Sequence, residues 1–260
     1  MKLKNGVEVL KIFNSLGARN NIYPTVIYDK KNIVLVDTGY PGHYQIIKEQ
    51  LDNIKLSIND VSKIILTHQD WDHMGSLVSI LENKAEAQQI EVLAHEADKP
   101  YIEGSKTPLK FTDEFVKKLR KMVGEYSMSK QQELNHILDN FYVKVDKALK
   151  DGEVIDICGG IEVIHVPGHT PGNICLYLKK HKILLAGDAL NITNGQLYGP
   201  DAIYTHDMEQ AVNSLSKLTN YQIKTVVCYH GGVYDNNVNK RLEEIITGEL
   251  NELATKKALR

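Results

Sequence analysis

One junction constrains this chain more than any other feature: an apolar run that stops dead at a cluster of metal-capable side chains. Lys63-Ile64-Ile65-Leu66 is short and rich in β-branched residues, the pattern of a buried strand, and Thr67-His68-Gln69-Asp70-Trp71-Asp72-His73 follows at once. His68, Asp70, Asp72 and His73 cannot all point one way along regular structure. On a turning loop they converge on a small volume, as a metal site demands. Three further segments repeat the arrangement: Val166-Pro167-Gly168-His169, Leu185-Ala186-Gly187-Asp188 and Val227-Cys228-Tyr229-His230-Gly231. In each, an apolar strand ends at a ligand-type residue beside glycine, which tolerates the backbone angles and close approach of a tight loop. Four strand ends that each offer a ligand suit a site built along one edge of a sheet.

The rest of the pattern is read around these loops. Strands are expected at Val7–Phe13, Ile22–Tyr28, Ile33–Val36 and Ile90–Ala94 in the first part. In the last part they fall at Val154–Ile157, Ile161–Val166, Ile174–Leu178, Lys182–Ala186 and Thr225–Cys228. Helices are expected after Pro41-Gly42, at about 74–81, at about 207–218 and at about 237–257. Between them, Phe115, Leu119, Met122 and Val123 recur at helical spacing from Thr112 onward. A second run from Leu134 through Phe141 to Leu149 reads as one long amphipathic helix, opened by Ser129-Lys130-Gln131-Gln132 and closed at Gly152. Residues 1–260 are thus expected to form one domain carrying a helical insertion at about 97–150. Leaving and re-entering the fold between metal-capable segments suits a lid or a dimer face as well as plain cover.

Bulk properties exclude several classes. A hydrophobic content of 42%, a charged content of 25% and a net charge of −2 describe an ordinary globular chain. They give no electrostatic reason to expect nucleic acid or an anionic membrane as partner. No stretch is long and apolar enough to span a bilayer, and Cys158, Cys175 and Cys228 lack paired spacing. The expected setting is the cytoplasm, with buried thiols.

The loops resemble the signature of the metallo-β-lactamase-fold hydrolases, His-x-His-x-Asp-His followed by single His, Asp and His residues. The matching positions are His68, Asp70, Asp72 and His73, then His169, Asp188 and His230; Asp37-Thr38-Gly39 matches a structural aspartate behind the metal loop. The resemblance implies a four-layer αββα sandwich with two divalent metal ions at one rim. One ion would be held by His68, Asp70 and His169, the other by Asp72, His73 and His230, with Asp188 bridging. It further implies a metal-bridging hydroxide as nucleophile on an ester, lactone or thioester of a small organic substrate, with Asp72 orienting it and passing a proton to the leaving group.

Asp70 departs from the pattern, because the family carries His there. An extra carboxylate makes the pair a weaker Lewis acid and hardens one site, so Mn or Fe competes with the Zn that the resemblance favours. The shorter side chain either coordinates directly or stays behind the ligands. A carboxylate at this position also occurs, as Glu, in flavodiiron proteins, which keeps a diiron redox protein as an alternative, beside a nuclease or phosphodiesterase of the same fold. Trp71 and His206 are the expected substrate contacts, and a homodimer through the insertion is a further expectation.

Overall fold

The computed structural model describes residues 1–13 and 21–258, with side chains through 255. Two sheets carry the fold. The first runs, in spatial and chain order alike, through Lys2–Lys4, Val7–Val9, Thr25–Tyr28, Ile33–Val36, Lys63–Ile65, Glu91–His95 and Lys147–Leu149. Its first three pairings are antiparallel and its last three parallel. The second runs through Val154–Ile155, Ile161–His165, Ile174–Leu178, Ile183–Leu185, Thr225–Cys228 and Gly232–Tyr234. Only its pairing of Ile183–Leu185 with Thr225–Cys228 is parallel.

The apolar residues sort into three clusters, and these define the layers. In Ile33–Val36, Ile33 and Leu35 join the cluster that packs against helices, whereas Val34 and Val36 join the cluster between the sheets. The same two-residue period divides Ile64 and Leu66 from Ile65, and Leu184 and Ala186 from Ile183 and Leu185. Both faces of the central strands are therefore buried, which is why they read as unbroken apolar runs rather than alternating ones. The third cluster packs the second sheet against the helices Met208–Leu215 and Val238–Ala258. The result is helix, sheet, sheet, helix: an αββα sandwich. No helix among the described residues is long and apolar enough to cross a membrane.

Most expected elements are present with shifted ends, and the middle holds one correction. The helix expected from Thr112 is present as Asp113–Val123, and Thr112 caps it, its side chain accepting from Phe115 N at 3.1 Å. The long second helix is not: it spans Met128–Asp139, with Ser127 at its N-cap, and stops at Asn140. Beyond it the chain is extended, and Phe141, Val143 and Val145 turn inward while Tyr142, Lys144 and Asp146 turn outward. Phe141 stacks at 4.8 Å on Phe111, and Lys147–Leu149 adds a parallel edge strand beside Glu91–His95. Period two, not 3.6, governs this stretch, because an open sheet edge there accepts backbone hydrogen bonds. The expected strand Val7–Phe13 is split into Val7–Val9 and Ile12–Phe13, and the expected helix at 74–81 is two pieces, Trp71–Met74 and Leu77–Glu82. The short pairs Asn191–Thr193 with Gln196–Tyr198, and the edge strand Gly232–Tyr234, were not anticipated.

Candidate metal centre

All four metal-capable loops leave the C-terminal ends of central strands, and in the second sheet Ile161–His165, Ile183–Leu185 and Thr225–Cys228 run in one direction, so their loops share one rim. Asp37 ends the strand Ile33–Val36 and takes a positive φ of 62°, which turns its carboxylate back under the loop 67–73. There Asp37 Oδ1 accepts from Thr67 N at 2.8 Å, and Oδ2 accepts from Thr67 Oγ1 at 2.8 Å and from His73 Nδ1 at 2.9 Å. Thr67 Oγ1, its proton given to Asp37, faces His68 Nδ1 at 3.0 Å. Both histidines are thus held by Nδ1, which leaves Nε2 aimed at the site, the arrangement that fixes tautomer and ring angle in metal sites. Glycine is required twice. Gly168 has a φ of 133°, and a Cβ there would lie 2.2 Å from Ala211 N; Gly231 has a φ of 110°, and a Cβ would lie 2.2 Å from Ile192 O.

The seven residues expected as ligands come together in two groups joined by Asp188. Asp70 Oδ2 lies 3.1 Å from His68 Nε2 and 2.9 Å from His169 Nε2. In the second group His230 Nε2 lies 3.2 Å from Asp72 Oδ2, and His73 Nε2 lies 3.8 Å from the same oxygen. Asp188 faces both: its Oδ2 is 3.6 Å from His169 Nε2 and 3.4 Å from His230 Nε2, and its Oδ1 is 3.4 Å from His73 Nε2. Ligand atoms about 2.0–2.2 Å from a tetrahedral ion stand about 3.3–3.6 Å apart, close to these separations.

A cation fits this arrangement on a second count. Among the described residues, His73 Nε2 and Asp188 Oδ1 are buried side-chain atoms with no hydrogen-bond partner, and they face each other. Leaving a buried imidazole nitrogen and a carboxylate oxygen unmatched is costly, and a shared metal ion would satisfy both. Among the described residues, two groups have ligand atoms close enough together to hold an ion: His68, His169 and Asp188, and Asp72, His73 and His230.

The charges point the same way. Burial opposes ionisation of Asp70, yet Lys110, His68 and His169 hold its carboxyl well below the usual range. Asp188 is also held well below, against burial, by His230 and His73. Burial works to lower His73, but Asp37, Asp72 and Asp188 outweigh it and raise it well above its ordinary value; Asp188 and Asp72 likewise raise His230 against burial. His169 is lowered, chiefly by burial. This much concentrated negative charge calls for cations.

Of the two expected substrate contacts, Trp71 packs edge-on between Tyr40, 5.0 Å away, and Phe115, 5.4 Å away, so it ties the insertion to the metal loop. His206 has an exposed side chain, and its backbone N–H donates to His169 O at 3.2 Å. Three residues escaped the sequence reading. Lys110, from the turn before the insertion helices, forms an ion pair with Asp70 and lies 3.1 Å from His169 Nε2. Tyr229 stacks on His73 at 3.8 Å, and its hydroxyl donates to Asp72 O at 2.5 Å. Asp98 is wholly buried between two metal loops: it accepts from Gln69 N at 3.0 Å, Gln69 Nε2 at 3.2 Å, Thr170 Oγ1 at 2.7 Å and Gly172 N at 2.7 Å. Tyr229 adjoins His230 in sequence, which was a usable signal; Lys110 and Asp98 carried none.

The family model of the metallo-beta-lactamase superfamily matches residues 19–230. The chain belongs to the metallo-beta-lactamase superfamily. Within this superfamily it is 27% identical over 215 residues to the probable metallo-hydrolase YflN of Bacillus subtilis, covering 77% of this chain and 75% of that protein. A shorter likeness, 41% over 49 residues and 18% of each chain, is to the acyl-coenzyme A thioesterase MBLAC2 of Gallus gallus. Among solved structures, a metallo-beta-lactamase family protein from Thermus thermophilus superposes with a TM-score of 0.71. That match is 22% identical and covers 99% of this chain and 84% of the other. The superfamily and its fold are thereby established, and metal-dependent hydrolysis is the activity in the names of its relatives.

Proposed function

We propose that this protein is a binuclear metal-dependent hydrolase acting on an ester, lactone or thioester of a small organic substrate. The observation that carries this reading is Asp188, a single carboxylate facing His169 on one side and His73 and His230 on the other. His68, Asp70 and His169 would hold one ion and Asp72, His73 and His230 the other, with Asp188 shared. When bound, two divalent ions supply Lewis acidity and lower the pKa of a water held between them. Zinc is the metal the superfamily favours, and the third carboxylate makes manganese or iron competitive.

The chain's own groups supply the rest. The side chains of Asp72 and Asp188 retain 14% and 12% exposure, whereas those of His68 and His73 are fully buried and Asp70 retains 2%. The site therefore opens to solvent on the Asp72–Asp188 side, where a substrate would enter. Asp72 would move a proton toward the leaving group there. The thioesterase named among the relatives supports an ester-type bond; the match to it is short. The insertion, wedged on Trp71, is read as a lid over this opening.

Metal analysis of purified protein should find about two ions per chain, in keeping with the paired-site arrangement. An aryl ester, a thioester and a lactone should be assayed with the Zn, Mn and Fe forms. His73→Ala and Asp188→Asn should abolish turnover of whichever is cleaved, while His181→Ala, on the surface, should leave it unchanged. Two bound ions with no cleavage of any of the three substrates would refute the assignment.

A further inference from the structure

We propose that Lys110 is a built-in competitor for the first metal position, so that the two sites load unequally and the Asp72–His73–His230 site fills first. The inference rests on the two-metal reading above, but not on hydrolysis.

The Lys110 ammonium pairs with Asp70 Oδ2, the same oxygen that faces His68 Nε2 at 3.1 Å and His169 Nε2 at 2.9 Å. Its Nζ also lies 3.1 Å from His169 Nε2. Nε2 of His169 thus faces both the ammonium and Asp70 Oδ2 at hydrogen-bond distance. It is the nitrogen a first-site ion would need. The ammonium and the ion therefore compete for Asp70 Oδ2 and for His169 Nε2 at once, and they cannot hold both together.

Lys110 is placed there by the fold and does not drift in from the surface. Leu109 N donates to Gln69 Oε1 at 3.1 Å, and Gln69 is itself clamped by Asp98, so the turn bearing Lys110 is tied to the metal loop. The ring of Tyr204 lies 5.8 Å from the ammonium on the other side. The two partners differ in their way out. The Lys110 side chain is 30% exposed and that of Asp70 only 2%, so ion entry exchanges a cation that can return to water for one that cannot be replaced by water.

The second group has no such rival. Among the described residues, the ion pairs of Asp72, His73 and His230 are with one another, with Asp188 and with Asp37. Lys110 feels the charges of Asp72 and Asp188, but among the described residues its ion pair is with Asp70. The cations paired within the second group are histidines, which deprotonate to bind a metal; a lysine must leave.

The test is a titration of metal-free, full-length protein with Zn²⁺ against a chromogenic chelator. Wild type should show a strong and a weak step, and His68→Ala should lose the weak one. In Lys110→Met the weak step should tighten about ten- to hundredfold, the worth of one hydrogen bond to a charged group, while the strong step moves less than about threefold. Lys110→Arg, which keeps a cation at the site, should resemble wild type. Acetic anhydride labelling read by mass spectrometry gives a second measure, independent of any substitution: modification of Lys110 should rise as the second equivalent of Zn²⁺ is added. A weak step within about twofold of wild type in Lys110→Met, or both steps tightening alike, would overturn the proposal while leaving the two-metal reading intact. Protection of Lys110 on loading would do the same. No Zn²⁺ binding by either protein would overturn both.

Discussion

Replacing Asp98 with alanine tests whether the first metal position depends on a carboxylate that binds no metal. Asp98 holds two loops together: Gln69 N and Nε2 belong to the loop bearing His68 and Asp70, and Thr170 Oγ1 and Gly172 N to the loop bearing His169. Four hydrogen bonds to a charged acceptor, at about 1.5 kcal/mol each, amount to about 6 kcal/mol of gross interaction. Against this stands burial of the carboxylate, which raises its pKa despite all four donors and despite the nearby His68. What Asp98→Ala costs is therefore set by the donors it leaves buried and unpaired, about 3 kcal/mol, within the range for breaking a buried polar network. Urea unfolding of metal-free protein would read it as a lower midpoint with unchanged slope. The effect on metal should be one-sided: the Asp70–His169 position should weaken about 10- to 100-fold, the usual cost of losing an outer hydrogen-bond partner. The Asp72–His73–His230 position is oriented by Asp37 and Thr67 and should change little. A stability loss below about 1 kcal/mol, or equal weakening at both positions, would refute the clamp.

Two further outcomes follow from single residues. His43 is buried at the N-cap of the helix Tyr44–Asn53, and burial, with Lys130 adding to it, lowers its pKa from 6.5 to about 4. Because the folded value is depressed, the unfolded chain takes up the proton first; stability is lost as pH falls from about 6.5 to about 4, by up to ~3 kcal/mol. His43→Asn should flatten that part of the stability–pH profile, and an unchanged slope would contradict the assignment. Gly168→Ala combines a positive φ with a Cβ 2.2 Å from the backbone of Ala211, so the loop carrying His169 must shift. The expected cost is about 2–4 kcal/mol in unfolding free energy with selective loss of the weaker metal step. Wild-type melting and metal titration would show that the loop tolerates a side chain after all.

Much of the centre was legible because its information is local. Strands buried on both faces give continuous apolar runs, so Ile64-Ile65-Leu66 or Ile183-Leu184-Leu185 announce themselves, and the first polar residue after each marks the rim. The candidate ligands follow those breaks, from His230, two residues past its strand, to His73, eight past its own. The stretch from Phe141 to Leu149 misled for a physical reason. Its apolar residues satisfy helical spacing when joined to Leu134 and Ile137, yet Phe141, Val143 and Val145 also alternate, and a short run cannot choose between the two periods. The choice was made by the free edge of Glu91–His95, which lies some fifty residues back in the chain and offers parallel pairing to Lys147–Leu149.

The insertion shows the same limit at the level of chemistry. The pairing of Lys110 with Asp70 joins residues 40 apart, through a turn whose own sequence is ordinary. A lysine in a polar turn carries no mark distinguishing a solvated charge from one placed against a candidate metal ligand. The same holds for Asp98, whose four partners come from two other loops. What the sequence did single out was Asp70, and the structure shows why that position departs from the family pattern in a coherent way. A neutral histidine at 70 could offer a neighbouring ammonium one lone pair and no charge, whereas a carboxylate pairs with it strongly. Asp70 and Lys110 thus make sense as a pair. If so, Asp70→His should convert Lys110 from a competitor into a mere neighbour, and Lys110→Met should then have almost no further effect on the weaker metal step. A double-mutant cycle on that step measures the coupling directly, and independent, additive effects of the two substitutions would show that the pair does not act as one unit.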